Sequence, residues 1–150
     1  LIGILIMAGG VFLLKKVIVL QLGNMDHPRT IRIRISPPEP FSILYIHSIY
    51  REAVTEEFQA EENAIILKGV RTKSSAVMEY YGFEDRKEFH PMNERLGAVF
   101  FIRRGMGEGQ GLIVRDRKIY LSEIGEKGDR IRLRVELMPL WKYLFSIIFE

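Results

Sequence analysis

The sequence predicts an all-β fold, an antiparallel β-sandwich or barrel of about eight or nine short strands. Three observations carry that prediction. The stretches 30–36 and 131–137 alternate between aliphatic and charged residues, the mark of strands buried on one face. Further short apolar runs follow one another, separated by proline, glycine and charged turns. The length of 150 residues, 47% hydrophobic and 27% charged, suits one globular body rather than a disordered chain. Cysteine is absent, which excludes a disulfide framework, thiol catalysis and thiolate-bound zinc. Lys and Arg number 22 against 19 Asp and Glu, too even and too interleaved to point to nucleic acid.

The chain opens on an uncharged run, Leu1 to Leu14, followed by Lys15 and Lys16. As a helix, fourteen residues reach ~21 Å, short of the ~30 Å hydrocarbon core of a bilayer. The run is expected to be part of a signal-anchor helix, or a secretory segment with Ala8, Gly9 and Gly10 as its cleavage zone. A buried core helix is disfavoured by Gly3, Gly9 and Gly10. Lys15 and Lys16 oppose the positive-inside rule for an anchor whose N-terminus is cytoplasmic, so upstream basic residues would have to outweigh them. The expected organisation is a signal or anchor segment (1–16), a β-domain (17–138) with a long excursion at 71–96, and an apolar C-terminal segment (139–150). The body is expected on the extracytoplasmic face of the cytoplasmic membrane, or secreted if the first segment is cleaved.

Val17 to Leu22 is a candidate first strand. Thr30 to Ser36 puts Ile31, Ile33 and Ile35 on one face and Arg32 and Arg34 on the other. Pro37, Pro38 and Pro40 break the chain. Phe41 to Ser48 is apolar on both faces, as in a central strand, and Ala53 to Ala60 alternates again. Ala64 to Lys68, extended by Val70, is a further run. Residues 71–96 are charged and without clear period, and are expected as a loop with at most one helical turn at Glu84 to Phe89. Gly97 to Ile102 is a strand. Leu112 to Val114 and Ile119 to Leu121 flank a hairpin turn, Gly125 to Asp129 is a loop, and Ile131 to Leu137 is the last strand. Pro139 stops it. Leu140 to Phe149 holds the only tryptophan and suits a closing element, a partner contact or an interfacial segment with Trp141 and Tyr143 at headgroup level.

The informative stretch is Phe41 to Phe58. By strand parity His47 shares a face with Tyr45, and Glu56 shares one with Val54 and Phe58. A hairpin closed around Tyr50 and Arg51 sets Ser48 opposite Ala53 and makes His47 and Glu56 diagonal neighbours at ~7–8 Å. A carboxylate on an apolar face needs a partner. A His47–Glu56 pair is therefore expected, either ordering the hairpin or forming the polar centre of a ligand cavity with Tyr45 and Ser48. Ser48 points away from His47 on a strand, and no G-x-S-x-G elbow is present, so no nucleophile triad and no enzyme activity is expected. The three histidines, His27, His47 and His90, lack metal-ligand spacing, and no metal or cofactor is expected. Gly105 to Gly111 lacks the Lys-Ser/Thr of a phosphate loop and reads as a strand-to-strand link. Arg32, Arg34, Arg130, Arg132 and Arg134 form outward stripes, suited to solvent, to strand-edge protection or to anionic headgroups.

The pattern Phe41-x-x-x-Tyr45-x-His47-Ser48, followed by Val54-x-Glu56-x-Phe58, resembles the family known as domain of unknown function 1850. Ile119 to Ile124, Gly128 and Arg130 to Val135 are similar to its C-terminal part, so the resemblance spans residues 17–137. Two positions depart from it: Tyr50 stands where the family tends to have an acid, and Ser75 to Met78 stand in place of a glycine-rich turn. The family has no established activity. It is often encoded beside tripartite (TRAP) transporters of the TAXI class. The resemblance therefore implies a membrane-tethered accessory domain that docks on a TRAP membrane subunit or solute-binding protein. Outside the resembling span, Lys15, Lys16, Trp141 and Tyr143 are expected as membrane or partner contacts. The first alternative is a small-ligand carrier with a cavity between the sheets, which requires at least ~300 Å³. The second is a surface filament subunit, against which the lack of an early acid in Leu1 to Leu14 argues.

Overall fold

A computed structural model of the chain describes residues 13–149. The helix expected over residues 1–14 lies outside these, apart from Leu13 and Leu14, which are helical and exposed. The body is all-β, two antiparallel sheets packed face to face. Its strands are β1 (Lys16–Asn24), β2 (Thr30–Ile35), β3 (Glu39–Ile46), β4 (Ala53–Ala60), β5 (Ile65–Thr72), β6 (Phe89–Gly97), β7 (Val99–Arg103), β8 (Gly111–Val114), β9 (Arg117–Tyr120) and β10 (Arg130–Pro139). A short helix α1 (Ser75–Tyr80) follows β5, and α2 (Leu140–Phe149) follows β10. One sheet has the order β2-β1-β10-β7 and the other β6-β5-β4-β3-β8-β9.

Alternation explains most of these strands. In β2, Ile33 and Ile35 are buried between the sheets while Arg34 is exposed. In β10, Ile131, Leu133 and Val135 are buried, and Arg132 and Arg134 lie on the other face. β1 is buried along nearly its whole length, because Leu20 and Leu22 enter the main core while Val17 and Val19 join a second cluster with Met138 and Leu140. The facing sheet supplies Phe41, Ile43, Phe58, Ile65, Leu67, Leu112 and Val114 to the same core. Arg115 and Asp116 form a two-residue turn between β8 and β9, with Arg115 in the left-handed region at φ 53°.

Two local expectations are corrected. Pro40 does not break the chain but is the second residue of β3, just ahead of Phe41, where pairing with β8 begins. Residues 71–96 are not a simple excursion. They hold the end of β5, then α1 and most of β6, which pairs with β5 along its length. The helical turn is at Ser75–Tyr80, capped by the Ser74 hydroxyl accepting from the Val77 N–H, and not at 84–89. β6 escaped notice because it is an edge strand whose exposed positions carry Pro91, Asn93 and Glu94.

Candidate ligand-binding cleft

The β3–β4 hairpin sets the geometry. Ile46 pairs with Ala53, Tyr45 with Val54 and Ile43 with Glu56, two residues from the expected register. The cause is aromatic. Phe41 lies opposite Phe58, their rings stacked with centroids 5.1 Å apart, whereas the expected register opposes Phe41 to Ala60. Residues 47–52 become the turn. There the His47 N–H donates to the Glu52 carbonyl and the Arg51 N–H to the His47 carbonyl, each at 2.8 Å, with Arg51 at φ 55°.

The expected His47–Glu56 pair is thereby corrected. The shift carries His47 past the end of β3, and Glu56 finds tyrosines instead. The Tyr81 hydroxyl donates to Glu56 Oε1 at 2.7 Å, the Tyr45 hydroxyl lies 3.5 Å from the same oxygen, and the two hydroxyls bond each other. With Tyr81 donating to the carboxylate, Tyr45 donates to Tyr81. Burial raises the Glu56 carboxyl above its usual range, and the Tyr81 bond, with the Tyr45 hydroxyl behind it, partly opposes the rise. Burial also pushes Tyr45 up to about 12 and raises Tyr81 further. Among the described residues no cationic side chain bonds the Glu56 carboxylate.

His47 is buried, its ring stacked on Tyr50 at 5.2 Å and met edge-on by Tyr80 at 5.0 Å. Ser48 is exposed at the turn. All four residues singled out from sequence nonetheless border one cleft of about 610 Å³. Ile43, Tyr45, Glu56, Phe58 and Leu67 form its wall on one sheet, and Phe100 and Ile102 of β7 face them from the other. Tyr80 and Tyr81 close one side, and Gly105, Gly107 and Gln110 close the other, where the Gln110 side chain accepts from the Gly105 N–H at 2.8 Å. Gly105 to Gly111 thus links β7 to β8 at the mouth of the cleft.

Sequence reasoning missed Tyr81, the strongest partner of Glu56. The available signal was Ser74 followed by Ser-Ala-Val-Met-Glu-Tyr, a capped helical turn delivering a Tyr-Tyr pair. Lys15 and Lys16 are exposed at the start of β1, and Trp141 is exposed on α2. Tyr143 is partly buried: it packs on the Val17, Val19, Met138 and Leu140 cluster, and its hydroxyl accepts from the Arg34 N–H at 3.3 Å. Among the described residues, no group of three His, Asp or Glu side chains is placed to hold a metal ion, and no helix is long and apolar enough to cross a membrane. Comparison with protein-family models, with curated proteins and with solved structures finds no match to this chain.

Proposed function

We propose that this chain is a non-enzymatic ligand-binding β-domain that takes a small molecule with an apolar body and a cationic head between its sheets. The observation that carries this reading is Glu56, a carboxylate drawn into an aromatic cleft and bonded, among the described residues, only by tyrosines. A cation there gains both the carboxylate and the faces of the surrounding rings. The cleft volume of about 610 Å³ is within the range of small-molecule sites. Ser48 is exposed in the turn, so no base-activated nucleophile is read into the site.

The test is calorimetric titration with 2-phenylethylamine and with its neutral analogue 2-phenylethanol. The amine is expected to bind the wild-type chain more tightly, and Glu56→Gln to weaken amine binding by roughly tenfold or more while leaving the alcohol unchanged. Equal affinities for the two probes, or amine binding indifferent to Glu56→Gln, would overturn the reading.

We further propose, on the family resemblance alone, that the domain serves as an extracytoplasmic accessory of a TAXI-type TRAP transporter. Retention of a transporter subunit by the tagged chain in mild detergent is the expected outcome. Consistent absence of every subunit counts against it.

A further inference from the structure

We infer that the end of the sandwich opposite the cleft docks on a bilayer rich in anionic phospholipid, with α2 lying along the headgroup boundary and Arg34 and Arg117 against lipid phosphates. This inference is independent of what the cleft binds. On α2, Trp141, Leu144, Phe145 and Ile148 recur at i, i+3, i+4 and i+7, which is one helix face. Their exposures are 48%, 40%, 57% and 71%, so the face has no partner among the described residues. Leu140 and Tyr143 seat the first turn of the helix on β1 and β10, while Ile147 and Phe149 are exposed as well, at 57% and 69%.

Beside Tyr143 lies a groove of about 820 Å³ lined by Arg32, Arg34, Arg115 and Arg117. Glu39 neutralises Arg115 through two bonds of 2.9 and 2.8 Å, and among the described residues lining the groove Asp116 is the one acid. Arg34 and Arg117 are exposed. An exposed apolar helix beside a guanidinium-lined groove complements acyl chains beside phosphates.

The amino-acid sequence ahead of β1 supports the same surface. The Leu140 N–H donates to the Lys15 carbonyl at 2.7 Å, so the uncharged run 1–14 joins the body where α2 begins. Lys15, Lys16 and Lys142 are exposed at this end. A second copy of the chain fits the surface poorly, because a twofold contact would bring arginine grooves toward each other.

Trp141 is the only tryptophan and reports directly on this surface. The full chain is reconstituted into phosphatidylcholine vesicles, with or without an equal part of phosphatidylglycerol, using lipids brominated on the acyl chain. Quenching of Trp141 is expected to be several-fold stronger in the anionic vesicles. Arg34→Glu with Arg117→Glu should return it to the zwitterionic level, with unchanged far-ultraviolet circular dichroism. Glu56→Gln should leave it intact, which separates this surface from the cleft. Three results would each overturn the inference. They are Trp141 open to aqueous acrylamide in both vesicles, quenching that ignores the charge reversal, and shielding of Trp141 in lipid-free micelles that grows with protein concentration.

Discussion

A carboxylate drawn out of water resists ionisation, and so Glu56 ties the cleft to pH. Its carboxyl is raised by burial, so the folded state holds a proton that the unfolded state has released. Stability contributed at this site therefore falls as pH rises from the ordinary value of 4.5 to the raised folded value, and is flat above it. Glu56→Gln removes that slope. Thermal melts should show the variant gaining on the wild type as pH climbs through this window, with no gain at its acid end. Amine binding has the opposite dependence, because a cation needs the ionised carboxylate. Its affinity should drop when pH falls below the folded value, as calorimetry at two pH values would record. Tyr81→Phe deletes the 2.7 Å donor to the carboxylate, and a nuclear magnetic resonance titration of Glu56 should find its carboxyl raised further. The residue types of this site were legible in the sequence, since Tyr45, His47, Ser48 and Glu56 all border the cleft. Their partners were not, because strand parity assigns a face but not the residue across it.

Among the elements, β5 shows how a backbone irregularity depends on one residue. Its pairing with β6 shifts between Leu67 and Gly69, and the Phe89 ring lies over Gly69 with the Arg71 guanidinium 4.7 Å above it. A Cβ at position 69 would stand 2.4 Å from that ring and 2.8 Å from the His90 carbonyl oxygen. Gly69→Ala should destabilise the fold by about 1–3 kcal/mol in urea unfolding, because ring and edge strand must both move. The same comparison separates legible strands from hidden ones. β2, β4 and β10 announce themselves by period 2, since one face meets the core and the other meets water. β6 carries Pro91, Asn93 and Glu94 on an edge, where no buried face constrains the outer positions, and its pattern dissolves into the charged stretch around it. The C-terminal run 140–149 is apolar nearly all round, and only its packing distinguishes the seated first turn from the exposed residues beyond it.

At the scale of the molecule, the antiparallel register places the two proposed binding surfaces at opposite ends. Ile46, Arg103 and Gly111 end or begin their strands at the cleft, while Lys16, Glu39, Arg117 and Pro139 do so at the other pole. The main core between them includes Leu20, Phe41, Phe58 and Leu133, and it holds both sheets in one unit. Leu133→Ala, fully buried in that core, should cost about 2–5 kcal/mol and lower the urea midpoint in a single transition followed by fluorescence and circular dichroism alike. Composition and alternation by themselves determined an all-β body, most of its strand positions, the absence of disulfides and the apolar character of both terminal runs. Each of those follows from local period and residue chemistry, which a linear chain displays openly. Only the tertiary structure decided that Phe41 stacks on Phe58, that this pairing carries His47 into a turn, and that Tyr81 arrives from 25 positions away to meet Glu56. Contacts of that kind depend on which register buries the most apolar surface across two sheets, a comparison among competing long-range pairings that no single segment contains.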